Sequence, residues 1–436
     1  EARAIGYQAV RRSGVTLVLG QRYDANFQLP QSVVQLQEVV VAGEANPLIN
    51  ANKTGAEQII GAQAIENLPL LGRNFTDLVR TSPQVNGSSV AGQNNRFNNI
   101  QVDGGVNNDL FGLAGSGTPG GQANASVISL EAVQEFRVEV APFDVRQGNF
   151  VGGLVNAVTK SGTNEFHGSA FTYYRGKGIA GYRTDPTFNA FNVYQYGGTF
   201  SGPIMKDKLQ FFLSADLQSS KSPYSSSFQL TGDDAADLSN TGFTLADAQR
   251  FHDILVNQYN FGDPGLGTAP PIANPDKNLF GKLSWQLGTN SRLELSHNFV
   301  DASLDQLTRS PTAPRFSTTS PNYRDGYQLS SSGYQQANRT NTTRVKWTST
   351  FGRNMANEFL AGGQWVRDHR AITNSTPLIL VDVGKVGSLD SWLAGGADKF
   401  SQGNLLDQNI YSLADNISFD ISNKHRLTVG TSDEFF

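Results

Sequence analysis

The sequence predicts a mostly β protein: the end of a small β-sandwich, then an α+β domain, then the first strands of an incomplete antiparallel transmembrane β-barrel. Three observations predict it. Beyond residue 164, apolar and polar side chains alternate with period two over segments of about ten to fourteen residues. The connections between those segments are short at one end and long at the other, as in an up-and-down outer-membrane barrel. The composition, with 45 Gly, 27 Phe and 13 Tyr among 436 residues and no Cys, is that of a loop-rich β protein without disulfides or thiol chemistry.

Taken in order, residues 5–11, 14–19 and 22–29 read as short strands that Pro30 ends, and they assign residues 1–35 to the last strands of a sandwich. Residues 36–52 follow as a segment whose β-branched run, Val39-Val40-Val41 behind Glu38, suits an edge strand open to pairing, with a flexible linker after it. Residues 53–163 are mixed. Helices are expected at 61–67 and at 75–81, where Leu78 and Val79 give an apolar side and Pro83 lies just beyond. Strands are expected at 97–103, 136–140 and 153–159, and residues 112–124 read as a low-complexity loop.

Residues 164–436 carry the alternation. Within 208–218, Leu209, Phe211, Leu213, Ala215 and Leu217 share one face, and Gln210, Ser214, Asp216 and Gln218 the other. Leu279, Gly281, Leu283, Trp285 and Leu287 repeat the pattern. Leu293, Leu295 and His297 oppose Arg292, Glu294, Ser296 and Asn298, and Val345 and Trp347 oppose Arg344, Lys346 and Thr348. Short turns fall at 205–207, 289–291, 353–354 and Asn423. Stretches 176–191, 221–276, 303–339 and 371–406 read as long irregular loops. About nine strands result, and single-chain bacterial barrels close with an even number, so the barrel is expected to continue past residue 436. The start, Glu1-Ala2-Arg3, has no export signal, which is expected upstream.

Several function classes lose support. With 34 basic and 38 acidic residues the net charge is -4, which leaves no basic footprint for nucleic acid. No run of eighteen apolar residues marks a transmembrane helix, a rule that barrel strands escape. The glycine-rich stretch 115–121 lacks the Lys and Ser/Thr of a phosphate loop and reads as a flexible loop. His167, His252, His297, His369 and His425 have no metal-ligand spacing. Asp103, Asn107 and Asp109 offer oxygens without the spacing of a calcium loop. No G-x-S-x-G pentapeptide occurs, so catalysis, metal and cofactor have no positive sign. Trp285, Trp347, Trp365, Tyr173, Tyr194 and Tyr196 fit either an aromatic belt at a membrane interface or ordinary sheet packing.

Residues 70–75 (LLGRNF), 99–108 (NIQVDGGVNN), 128–138, 148–164 (GNFVGGLVNAVTKSGTN) and 202–204 (GPI) before 208–212 (KLQFF) closely resemble TonB-dependent receptors of the Oar-like type, with a carboxypeptidase-regulatory-like domain in front. The resemblance covers nearly the whole chain and is most specific between residues 102 and 163. It implies that residues 53–163 are a plug, that the barrel has about twenty-two strands, and that Glu38, Val39, Val40, Val41 and Ala42 are a TonB box that pairs as an added strand with TonB; a last sandwich strand or a plain linker is the other reading of that run. It makes Arg73, Asn74, Phe75, Asp103, Gly104, Gly152, Gly153, Asn156, Thr159 and Lys160 structural plug positions, because glycine permits close backbone approach inside a lumen. The implied partners are TonB in the periplasm, outer-membrane lipid and an external ligand that is a peptide or protein, a glycan or a metal chelate, imported with energy that TonB transmits. A passive porin, or a surface adhesion or secretion barrel, is the alternative.

Overall fold

The computed structural model describes residues 2, 10–13, 27–29, 39–42, 56–68, 70, 72–73, 75–87, 89–140, 142, 144–180, 191–223, 230, 232–240, 242–265, 271–307, 327–352, 354–386, 389–398, 400–422 and 425–436. At the front, β1 (Val10–Ser13) and β2 (Val39–Ala42) pair in parallel, Val10 opposite Val39 and Ser13 opposite Ala42. Of the strands expected at 14–19 and 22–29, only residues 27–29 are described, and they are irregular; the rest lies outside the described residues.

An inner domain follows: β3 (Ala56–Gly61), α1 (Ala62–Asn67), α2 (Phe75–Val79), β4 (Val85–Asn86), β5 (Ser89–Val90), β6 (Asn99–Val102), β7 (Gly105–Val106), β8 (Val133–Val140) and β9 (Gly153–Thr159). Five of these strands form a sheet in the order β3-β8-β9-β6-β7, antiparallel except where β6 runs alongside β9. Ile60, Leu78, Ile100, Phe136, Val138 and Val155 fill its core together with Phe212 and Phe280, which belong to the strands outside it. β8 starts three residues before the expected 136, because its backbone pairs with β9 back to Val133 across a register shift between Val133 and Glu135.

The remaining elements are β10 (His167–Gly176), α3 (Lys177–Ala180), β11 (Asn192–Met205), β12 (Leu209–Ser222), α4 (Asp234–Asn240), α5 (Leu245–Tyr259), β13 (Ile272–Gln286), β14 (Ser291–Gln306), β15 (Tyr327–Gln328), β16 (Tyr334–Phe351), β17 (Met355–Ile372), β18 (Ile379–Val386), β19 (Leu389–Gly395), β20 (Leu405–Ser422) and β21 (His425–Phe435). Nine of them, β10-β11-β12-β13-β14-β16-β17-β20-β21, form one antiparallel up-and-down sheet, the strand count the alternation predicts. It is an open wall: among the described residues its edge strands β10 and β21 pair with nothing beyond it.

The two faces of this wall meet different surroundings. On β13, Asp276, Asn278, Phe280, Lys282 and Ser284 are buried beneath the inner domain, and Leu279, Leu283 and Trp285 between them are exposed on the other side. A wall with lipid on one side and a polar filling on the other requires this alternation. Tyr194, Tyr196, Trp285 and Trp347 stand exposed on the outer face, and Trp365 packs edge-on against Tyr411 there. Tyr173 does not join them. It pairs with Gln195, whose side chain is buried, so alternation turns Tyr173 inward and leaves Tyr174 and Tyr194 outside.

Among the described residues, three of the long connections carry regular structure. α4, α5 and the sheet β15-β19-β18 come from these three, and α5, the sheet and the residues flanking α4 share a core of Leu230, Phe243, Phe251, Leu255, Tyr327, Leu329 and Leu393. Helix α5 begins on a capping box, in which the Thr244 hydroxyl accepts from the Asp247 amide and the Asp247 carboxylate accepts from the Thr244 amide, and it ends on Asn260 in the left-handed region. The Thr-x-x-Asp signature and the spacing of Ala248, Phe251 and Leu255 are both present in the sequence and mark the helix. Truncation of Leu255 to alanine removes core volume from a site 2% exposed and should cost about 2–5 kcal/mol of local stability. Limited proteolysis should then cut the long connections at least tenfold faster and leave the strands of the wall intact.

Candidate functional site: the seat of the inner domain on the wall

The sequence between β6 and β7 is Asp103-Gly104, the two-residue turn that a tight hairpin prefers, and both residues take positive φ (51° and 86°). The turn aims the Asp103 carboxylate at β9 and the wall. Its Oδ1 accepts from the Thr159 amide at 2.9 Å and its Oδ2 from the Thr159 hydroxyl at 2.6 Å. Lys282 Nζ on β13 donates to the same Oδ2 at 3.3 Å and to the Thr159 hydroxyl at 3.0 Å. Glu294 on β14 stands 3.6 Å from Lys282 on its other side. The Gly104 amide donates to Asn156 Oδ1, and the Asp103 amide to the Ala157 carbonyl. Burial pushes the Asp103 carboxyl up, but Lys282, the two hydrogen bonds from Thr159 and the charge of Lys346 outweigh it and hold the group below the usual carboxylate range.

The next three residues seat on β16 and β17. Arg344 Nη2 donates to the carbonyls of Gly105 (3.3 Å) and Val106 (3.0 Å) and to Asn107 Oδ1 (3.4 Å), and Gln364 Nε2 donates to Asn107 Oδ1 at 2.5 Å. The Arg344 side chain lies directly on Gly105, where any Cβ would collide with it. Further along, Ser129 donates to Asp216 (2.8 Å), the Ser126 amide to Asp276 (3.0 Å), Asn298 to the Val127 carbonyl (2.8 Å) and Asn274 to the Ala123 carbonyl (2.9 Å). The inner domain is therefore sewn to β12, β13, β14, β16 and β17.

Four of the positions singled out in the sequence converge here: Asp103, Gly104, Asn156 and Thr159. Gly152 and Gly153 sit away from the turn where a Cβ would meet Asn98 and Val90 respectively, at 2.6 and 2.5 Å, so the chain passes there only as glycine. The Lys160 amide donates to the Ala132 carbonyl. Arg73 lies elsewhere, paired with Glu131 at 2.6 Å. Phe75 opens α2, and Asn74 and Glu38 lie outside the described residues. Val39–Ala42 use one edge of β2 against β1. The oxygens weighed for a cation are engaged otherwise: Asp103 by Lys282, Asn107 by Arg344 and Gln364, and Asp109 by the amides of Phe111 and Ala114. The sequence reading missed Lys282, Arg344 and Gln364. Their signal was a cation or amide in the middle of a strand on its polar face.

A carboxamide at position 103 leaves Lys282 buried with Glu294 and Thr159 alone, and breaking a buried pair by removing one partner costs about 3–5 kcal/mol. We expect Asp103→Asn to lower the urea midpoint for unfolding of the inner domain, followed by protease protection, while the wall stays folded. The depressed carboxyl sets the pH window. Its stabilisation is complete above the ordinary carboxylate value of about 4 and is lost as pH falls through the lower folded value. Protection should hold from pH 7 to 5 and fail only below about pH 4; loss between pH 7 and 5 would contradict it.

Comparison with known proteins bears on what this seat belongs to. A family profile described as "Outer membrane beta barrel domain" matches residues 158–432. The chain is similar to the TonB-dependent transporter Oar of Myxococcus xanthus, 29% identical over 307 residues that make up 63% of this chain and 27% of the relative. Its fold is similar to the crystal structures of the outer membrane transporter YddB from Escherichia coli (TM-score 0.57, 12% identity, 87% of this chain and 47% of that one) and of a ferric enterobactin receptor from Pseudomonas aeruginosa (TM-score 0.53, 16% identity, 88% and 49%). The chain thus spans about a quarter of the first relative's length and about half of each solved structure.

Proposed function

This chain belongs to the outer membrane β-barrel family, among the TonB-dependent receptors, and we propose that the protein it comes from captures an external ligand and imports it with energy transmitted by TonB. Its place is the outer membrane. The observation that carries the reading is the buried seat: a separate folded domain held on the lumen face of the wall by Asp103–Lys282 and the Arg344–Asn107–Gln364 contacts. A passive channel has no use for a domain that fills it. In this reading residues 53–163 are the plug and residues 164–436 the beginning of the barrel. The long connections with their own core form the outward ligand-facing side, and the ligand is a peptide or protein, a glycan or a metal chelate.

Val39–Ala42, with Glu38 before them, serve as the TonB box. Four consecutive residues in extended conformation, engaged along one edge by β1, offer TonB a strand to which it can add, on the edge left open among the described residues or by displacing β1. The pull then runs through the linker into β3 and so into the plug. Val40→Pro removes a backbone donor from the middle of this strand and fixes its φ. Capture of the full-length receptor by immobilised TonB should fall at least tenfold with this variant and survive Val40→Ile; equal capture of both variants and the parent would remove the assignment. Uptake of the natural ligand by cells should stop when the proton gradient is dissipated, and uptake that persists would favour a passive barrel.

A further inference from the structure

Arg73 makes a contact that the seat does not use. It lies between α1 and α2 with φ 45°, in the left-handed region that side chains other than glycine seldom adopt, and its guanidinium is held from two sides. Nη2 meets Glu131 Oε1 of the inner domain at 2.6 Å, with both side chains more than four-fifths buried. The guanidinium carbon lies 4.1 Å from the ring centroid of Tyr173 and 5.7 Å from that of Phe171, both on β10, the first strand of the wall. The preceding amide, Gly72, donates to Asp77 at 2.7 Å and fixes the approach to α2.

Its position in the chain gives this contact its meaning. Upstream, β3 is an edge strand whose one neighbour among the described residues is β8, and α1 is a six-residue helix with no side-chain cap. β3 can be stripped from the sheet's edge one rung at a time, which uncovers Ile60, and α1 then holds to the core through Ile65. Downstream, Leu78 and Val79 of α2 are 0% and 4% exposed in the core. In chain order, the stacking of Arg73 on β10 comes before the ion pair of Asp103 with Lys282 on β13.

We propose that Arg73 is a positioning residue, a clamp to the first barrel strand that arrests a pull entering at residues 39–42. Segment 56–72 yields first, and the domain downstream stays seated until the clamp opens. This rests on the coupling role proposed for Val39–Ala42. Only a planar cation can stack on Tyr173 with its face and ion-pair with Glu131 through its edge; a lysine keeps the charge and loses the stack.

The test is force spectroscopy on the full-length receptor in its membrane, pulled by a tip coupled to Ala42→Cys; these 436 residues hold no cysteine, and any beyond them is replaced by serine. The parent should arrest after about 110 Å of extended chain, the reach from residue 42 to residue 73 at roughly 3.5 Å per residue. Arg73→Gln, and independently Tyr173→Leu, which leaves the inner domain's own sequence untouched, should lose that arrest and next stop near about 210 Å, the reach to residue 103. Arg73→Lys should keep the position of the arrest at lower force. An arrest of unchanged length and force in Arg73→Gln and Tyr173→Leu, or none near that length in the parent, overturns the clamp. The handle is covalent, so this outcome is independent of TonB capture, whose failure would instead count against the coupling segment.

Discussion

A carboxylate buried under a folded domain stays charged only where cations and donors replace its water, and the seating of the inner domain depends on this at Asp103. Thr159 supplies two hydrogen bonds from within the domain and Lys282 supplies the charge from the wall. Because the donors come from both bodies, the carboxylate is satisfied only when the two are docked. The Asp-Gly turn gives the geometry, and Gly105 lets Arg344 lie flat against the adjoining backbone, so that one short hairpin engages three wall strands.

The wall is built for the same purpose. Its polar face carries Asp216, Asp276, Asn278, Asn298 and Lys282, side chains that lipid would not accept and that hydrogen-bond the inner domain instead. Its other face carries leucine, phenylalanine and tryptophan. Most of the seat is polar, with an apolar patch at Phe212 and Phe280. Polar contacts suit the proposed import, in which the domain leaves: each can be exchanged for water as the domain moves, whereas a continuous apolar core would resist separation throughout.

The wall was legible in the sequence because lipid on one side forces strict alternation, and the count of nine strands followed from it. The tight turn at Asp103-Gly104 was legible for a similar local reason. Its partner was not: Lys282 lies 179 residues away, and no local rule links the two. Tyr173 could be read as a belt residue or as sheet packing, because an aromatic near a strand end reads the same on either face, and its pairing with Gln195 turns it inward. The helix at Leu245–Tyr259 was legible and overlooked, since length was taken for irregularity although Thr244 and Asp247 spell out its start. The cluster it builds with Tyr327 and Leu393 joins three separate connections, and the sequence carries no sign of that assembly.

The central claim is that the inner domain must part from the wall at this seat for the protein to work. Asn107 and Gln364, whose side chains meet at 2.5 Å, offer the most direct measurement: these 436 residues have no cysteine, and in a full-length protein freed of any other, Asn107→Cys and Gln364→Cys can be joined by a short bis-thiosulfonate reagent whose disulfide links a reductant cleaves. Ligand uptake by cells carrying the full-length double variant should be lost when the bridge is formed and restored by a reductant, with each single variant active under both conditions. Undiminished uptake through the bridged protein would contradict the account.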